Sequence, residues 1–493
     1  MIVQKYAMLK GNREAGRAGG DWSERSKSRR RMIMGEEKQA DIKQLKNPIN
    51  KEIMSIAWPV LIELVLSSLF GMINMMMLGN IADHGYAAAA VAAVGVTNQP
   101  LFLGLAVVQA LNIGGTALIA RYFGAGKHDR MENVMKHVMI ISMILSAPLA
   151  LAAFVYADQI MAFMGAQQDT IEVGRIYFRI ICISYLLQSF NFSISGSLRG
   201  IGETQIPMGV NLQANFLNVI GNALLIYGLF GVPALGIQGA AISTVIANTV
   251  ACSLLIRYLR SGKSKLNFSF AHPFHFSMKT MKSLAKIGLP SALEQLALRS
   301  GMILFIQIVS GLGTVVFAAH NIGMNILTLS FTLGQAFGIA ASSLVGRALG
   351  AGDANLAEKY ASRTGKIGSI CGAILGLAFF FGAEYIVSFY SSDPEIIRNA
   401  AIAIRVAAIT QPFQSHQLIV AGSLRGAGDT IFPLISTFFG ILIIRVAAAT
   451  FFVQVLGLGL LGAWLAVMLD QIIRWFLIAM RFRSGKWKRM KLA

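Results

Sequence analysis

Long apolar stretches separated by short polar ones make up nearly the whole chain after its first 50 residues. A helix needs about 20 mostly apolar residues to cross the hydrocarbon of a bilayer. Twelve stretches meet that length: residues 53–79, 87–119, 133–157, 175–197, 207–229, 236–258, 285–310, 314–345, 366–390, 396–422, 432–454 and 458–480. The second and eighth are long enough to tilt or to extend past the membrane.

The polar stretches between them set an orientation. One set of loops holds Arg121, Lys127, Arg130 and Lys136, then Arg199, then Arg257, Arg260, Lys263, Lys265, Lys279, Lys282 and Lys286. It continues with Arg347, Lys359, Arg363 and Lys366, then Arg425, then the tail with Arg481, Arg483, Lys486, Lys488, Arg489 and Lys491. The alternate loops hold little beyond Arg175, Arg179 and Arg398. Basic loops stay cytoplasmic, so both termini are expected there, in a multi-pass protein of the plasma membrane.

Composition narrows the class further. Apolar residues make up 55% and charged residues only 13%, with a mean hydropathy of +0.61; such a chain has lipid as its main solvent. The net charge of +20 sits in loops, so it argues for a bilayer partner and against nucleic acid. Cys182, Cys252 and Cys371 all lie in apolar stretches, with no disulfide or metal spacing. Residues 1–50 lack the apolar run of a secretory signal and read as a disordered basic arm.

The chain also repeats itself. Arg121-Tyr122-Phe123-Gly124-Ala125-Gly126 returns as Arg347-Ala348-Leu349-Gly350-Ala351-Gly352, a shift of 347 − 121 = 226. Ser197-Leu198-Arg199-Gly200-Ile201-Gly202-Glu203-Thr204 returns as Ser423-Leu424-Arg425-Gly426-Ala427-Gly428-Asp429-Thr430 at the same shift. Pro207/Pro433, Gln109/Gln335 and Gln188/Gln414 keep it too, and Pro59-x-x-x-Glu63 returns as Pro290-x-x-x-Glu294. A collinear set of this kind marks a duplication. Each half has an even number of crossings, so both enter in the same sense, related by an axis along the membrane normal with a cavity between them. The predicted fold class is an all-α membrane protein with twelve transmembrane helices in two pseudo-symmetric six-helix bundles. Its expected parts are the arm at 1–50, a first lobe at 51–260, a cytoplasmic linker at 261–284, a second lobe at 285–482 and a basic tail at 483–493.

The doubled Ser-Leu-Arg-Gly-x-Gly-(Glu/Asp)-Thr motif, each copy followed by Pro207 or Pro433, resembles the multidrug and toxic-compound extrusion (MATE) family. So do the Gly-Ala-Gly loops at 124–126 and 350–352 and the run Gly236-Ile237-Gln238-Gly239-Ala240-Ala241. The resemblance covers residues of about 50 to 490. It implies a two-lobed, twelve-helix exporter that exchanges small organic, often cationic, compounds for H⁺ or Na⁺ by alternating access, with no cofactor beyond that coupling cation. The family often carries acids in the first, fifth and tenth helices. Here Asn74, Asn222 and Gln414 stand at those positions, so the family's ion site does not transfer as it stands.

Carboxylates inside lipid cost several kcal/mol unless paired, hydrated or protonated. Glu63, Glu294 and Asp470 are therefore the candidates for chemistry. Ser67, Phe70 and Asn74 share one helical face with Glu63, as a wet cavity wall would require. Glu294 holds the matching place in the second half, so substrate or Na⁺ at Glu63 or Glu294 is the expected site. Gln188, Gln414 and Asn222 join Asn74 as candidate amide ligands, with helix-to-helix hydrogen bonding as their bland alternative. Asp470 and Arg474 are four apart and read as a structural pair, and Arg445 needs a partner for which Asp470 is one choice. No resident metal is expected.

Three other functions are weaker, the first a channel, because twofold internal pseudo-symmetry with a closed pair of bundles fits alternating access better. A lipid-linked oligosaccharide flippase needs many cations in its cavity. A membrane-embedded enzyme needs a catalytic cluster that the chain lacks. Gly124-Ala125-Gly126-Lys127 lacks both the upstream Gly and the Ser or Thr of a phosphate loop. A monomer driven by an ion gradient is the expectation.

Overall fold

The structure, a computed structural model, describes the backbone from residue 22 and side chains from residue 48 through residue 490, except for 267, 270 and 271. The chain divides into two units, Met1–Glu52 and Ile53–Ala493. Of the arm expected over 1–50, residues 1–21 lie outside the described residues and the remainder belongs to the helix that starts at Trp22. Among the described residues there is helix and no strand.

Twelve long helices follow in order. The first six are α1 (Trp22–Gly79), α2 (His84–Gly124), α3 (His128–Val155), α4 (Gln168–Gly200), α5 (Gln205–Tyr227) and α6 (Gly236–Arg260). The second six are α7 (Met278–Ser310), α8 (Thr314–Gly350), α9 (Ala354–Ser388), α10 (Pro394–Ala427), α11 (Ile431–Val455) and α12 (Gly459–Arg483). A short helix, Ala157–Phe163, joins α3 to α4. Starts are fixed by side-chain caps that satisfy otherwise orphaned backbone N–H groups. Asp83 accepts from the N–H groups of Gly85 and Tyr86, Asp353 from that of Leu356, and Asp393 from those of Glu395 and Ile396.

Among the described residues, nine of these helices are apolar enough, by length and composition, to cross a membrane. The other three, α4, α5 and α10, are the polar ones. Their amides and hydroxyls turn inward: Ser189, Asn191, Asn218, Asn222, Gln411 and Gln414 are all buried. A polar helix is stable in a bilayer when its neighbours, and not lipid, receive its polar groups. The structure thus keeps all twelve predicted spans while explaining why three are weakly apolar.

The duplication is visible in the packing. In the first lobe α2 lies on α4, α3 on α4, α4 on α6 and α5 on α6; in the second, α8 lies on α10, α9 on α10, α10 on α12 and α11 on α12. Each lobe has its own core, with Phe178, Ile181 and Ile237 in the first and Phe305, Ile404 and Trp464 in the second. The lobes meet through α2 against α7 and α8.

That meeting is confined to one end. Gly124 stands against the backbone carbonyl of Arg347, and Gly350 stands against the carbonyl of Arg121; a methyl group at either glycine would overlap that oxygen. The two contacts are the same contact, exchanged between halves. Just inside, Ser343 Oγ donates to the Gly200 carbonyl at 3.0 Å, and Arg121 Nη1 donates to the Ala427 carbonyl at 3.4 Å. Gly114 and Gly288 let α2 and α7 approach backbone to backbone at Leu284 and Leu111. Small residues permit this because, in lipid, close van der Waals packing holds helices together.

Candidate functional site

The face of α8 that touches the other lobe can be followed along the helix. Gly346 and Gly350 mark it by their contacts with Ala120 and Arg121. At 100° per residue, Asn321, Asn325, Thr328, Thr332 and Gln335 fall within roughly 60° of that direction. Four of the five are exposed and Thr332 is half-buried. The matching face of α2, marked by Ala120 and Gly124, carries Gln99, Phe102 and Gln109, all exposed. Gln99 and Gln109 lie 226 residues before Asn325 and Gln335, since 325 − 99 = 335 − 109 = 226. An exposed polar stripe on membrane helices is stable beside water and costly beside lipid. The two stripes are the facing walls of a cleft that is shut at the glycine contacts and open away from them. In the sequence Gln109 and Gln335 stand out only as repeat markers; the contact face that the glycines define is the signal that gives them, with Gln99 and Asn325, a direction.

Glu63 and Glu294 do not stand free on those walls. Glu63 is buried on α1, where Arg199 Nη2 of α4 and Asn211 Nδ2 of α5 each donate to its Oε1 at 2.6 Å. Glu294 is buried on α7, where Arg425 of α10 donates from Nη2 to Oε1 at 2.5 Å and from Nε to Oε2 at 3.3 Å. Thr437 Oγ1 of α11 donates to Glu294 Oε1 at 3.3 Å. Arg199 and Arg425 are one duplicated position, and so are Asn211 and Thr437 (211 + 226 = 437). The sequence reading placed both arginines in cytoplasmic loops. The structure places them inside helices, in α4 and α10, where the doubled motif serves as the internal counter-charge of the doubled glutamate. A carboxylate with a guanidinium at this distance is electrostatically matched, so a further cation has to displace the arginine to bind. Glu63 Oε2 is buried without a hydrogen-bond partner.

The other candidates form two unlike networks. In the first lobe, Asn74 Nδ2 donates to Asn218 Oδ1 at 2.8 Å and Asn222 Nδ2 donates to Asn74 Oδ1 at 2.9 Å. Asn218 Nδ2 reaches Ser243 Oγ at 3.2 Å and Thr244 Oγ1 at 3.1 Å. This chain of amides is neutral, joins α1, α5 and α6, and leaves Asn222 Oδ1 buried and unpartnered.

The second lobe's network is charged. Arg445 of α11 donates to Asp470 Oδ2 from Nε at 3.0 Å and from Nη2 at 2.6 Å, while Arg474 Nε donates to Oδ1 at 2.9 Å. Arg474 Nη2 continues to Gln471 Oε1 at 2.7 Å, and Gln471 Nε2 to Gln414 Oε1 at 3.3 Å. Local helix geometry makes this possible. Residues Phe438–Arg445 take wide π turns, and Gly440 faces Asp470 and Arg474 where any side chain would collide with them. Two arginines share one carboxylate, all three buried. Gln188, the counterpart of Gln414, is half-buried on α4 and joins neither network. Among the described residues no group of three His, Cys, Asp or Glu side chains is arranged to hold a metal ion.

The MatE family model matches residues 59–224 and 290–451, one copy in each lobe. A probable multidrug resistance protein, NorM of Thermotoga maritima, is 29% identical over 446 residues, covering 90% of this chain and 94% of that protein. The multidrug resistance protein MdtK of Yersinia pseudotuberculosis is 25% identical over 386 residues, covering 77% and 82%. Among solved structures, a MATE protein in the bent conformation superimposes with a TM-score of 0.81 at 22% identity, over 89% of this chain and 96% of that one. An outward-facing multidrug resistance transporter superimposes at 0.79 and 23% identity, over 89% and 97%. At such identities the superposition speaks for the fold.

Proposed function

This chain belongs to the MatE family, and on that ground we propose that it is a multidrug efflux transporter working by alternating access. It is a multi-pass membrane protein whose cargo is small organic compounds. H⁺ or Na⁺ entering down its gradient drives export, and the basic face, with both termini, lies in the cytoplasm.

The observation that carries the reading is the one-sided closure. Gly124 on Arg347 and Gly350 on Arg121 shut the basic end, while Gln99, Gln109, Asn325 and Gln335 remain exposed beyond it. Two lobes that touch only at one end can rock about that contact, which is how two-lobed secondary transporters carry a midplane site from one face to the other. The relatives named for multidrug resistance support the same cargo class.

The test is efflux from proteoliposomes holding the purified full-length protein, with Na⁺ and proton gradients imposed separately. One gradient should accelerate dye movement and its dissipation should stop it. Equal rates with no gradient of either ion would count against coupled transport.

A further inference from the structure

Arg299 is a charged side chain that the lobe networks do not absorb. It is exposed on α7, and no ion pair or hydrogen bond to it exists among the described residues. Its direction follows from a neighbour. Gly288 packs on Leu111 and Ala110 of α2; Arg299 lies 299 − 288 = 11 residues on, about 20° around the helix and about 16 Å further along it. Arg299 therefore points toward the other lobe at a level where the lobes have parted. The exposed leucines and isoleucines of α7, Leu289, Leu293, Leu296, Ile303, Leu304 and Ile306, have a mean direction roughly 70° away, and of these Ile306, two turns further on, comes nearest to the direction of Arg299. An uncompensated arginine at such depth is costly against lipid and tolerable beside water.

What faces Arg299 is neutral. The walls across the cleft carry Gln99 and Phe102 on α2 and the amides and hydroxyls on α8. The acids of α1 and α7, Glu63 and Glu294, are held by their own arginines. What stands behind it is positive. Arg445 Nη1 donates to the Met302 thioether sulfur Sδ at 3.5 Å, and the Arg445 guanidinium sits 5.6 Å from the Phe305 ring centroid. One helix thus separates the cleft from a buried group of two arginines and one aspartate. We infer that the cargo carries an anionic group, a carboxylate, sulfonate or phosphate, which Arg299 binds on the cleft wall. This deepens the transport reading and rests on it. A guanidinium with free donors is suited to these planar or tetrahedral oxyanions, and a wall without a free acid offers an organic cation no counter-charge.

The experiment uses purified full-length protein in vesicles of phosphatidylcholine, with and without phosphatidylglycerol. The probes are carboxyfluorescein, as the organic anion, and ethidium, as the cation. Carboxyfluorescein should move faster than in empty vesicles in both lipid mixtures, and ethidium should not. Arg299→Gln should lower carboxyfluorescein flux at least about tenfold at sub-saturating concentration, as loss of a charged hydrogen-bond partner does, and Arg299→Lys should recover part of it. Arg299→Glu should gain ethidium flux, a change that misfolding cannot produce. Wild-type ethidium transport unaffected by Arg299→Gln overturns the inference and leaves the transport reading standing. Wild-type flux that needs phosphatidylglycerol, with no further loss in Arg299→Gln, assigns the arginine to a lipid phosphate and also overturns it. Movement of neither probe counts against transport itself.

Discussion

Arg199 holds Glu63 from across the first lobe, 136 residues away in the chain and 2.6 Å away in space. Their counterparts Arg425 and Glu294 do the same at 2.5 Å. The doubled motif and the doubled acid are two ends of one interaction. Breaking a buried pair on one side leaves a charge with nothing to match it, at a cost of about 3 kcal/mol, whereas removing both ends costs much less. Glu63→Gln and Arg199→Gln should therefore each lower the unfolding temperature in detergent, and the double variant should be more stable than either. A double-mutant cycle whose effects simply add would show that the two side chains do not stabilise each other.

Much of this was legible in the sequence. Twelve apolar stretches, the doubled motif and the 226-residue shift specified the helix count and the two lobes, because bilayer thickness and gene duplication both leave periodic marks. The partner of Glu63 was not legible. Arg199 sits beside glycines at the polar edge of a predicted span, where a loop arginine and an inward-turned one have the same neighbours in sequence. The cleft walls were likewise hidden, since Gln99 and Asn325 declare their direction only once Gly124 and Gly350 have shown which faces meet.

Closure at the basic end depends on two missing side chains. Gly124→Val or Gly350→Val would put branched carbons where a backbone carbonyl now lies, and packed backbones cannot yield as flexible side chains do. Transport should stop while the protein still reaches the membrane. In a background lacking Cys182, Cys252 and Cys371, Ala120→Cys, at a position buried against Gly346 of the other lobe, should then become reactive to a membrane-impermeant thiol reagent applied at that face. Unchanged labelling in Gly124→Val would mean that the lobes still close.

The amide chain of the first lobe is a simpler case. Asn74 donates to Asn218 and accepts from Asn222, so Asn74→Leu strands an acceptor and a donor in a buried place. The expected loss is about 1–2 kcal/mol, toward the small end because other polar groups in a membrane bundle can take over. Thermal melting of the variant in detergent measures it. A wild-type melting temperature would mean that the three amides are packed together without depending on one another.

The second lobe's network makes an asymmetric prediction. Asp470 is the single carboxylate shared by Arg445 and Arg474, at 2.6 and 2.9 Å. Asp470→Asn leaves two like charges buried side by side with no counter-charge, where a low-dielectric surrounding strengthens their repulsion. Arg474→Met instead leaves a matched pair, Asp470 with Arg445, and a side chain of similar length to fill the space beside Gly440. If the two substitutions acted only through lost hydrogen bonds, the arginine variant should suffer at least as much, since Arg474 also donates to Gln471. Charge balance predicts the reverse order: Asp470→Asn should lose about 3–5 kcal/mol or fail to accumulate, and Arg474→Met should fold and melt within a few degrees of the wild type. Adding Arg474→Met to Asp470→Asn should then recover part of the loss, because one buried cation repels nothing. Expression level and melting temperature of the three variants decide between the two orders, and an arginine variant less stable than the aspartate variant would exclude charge as the governing term.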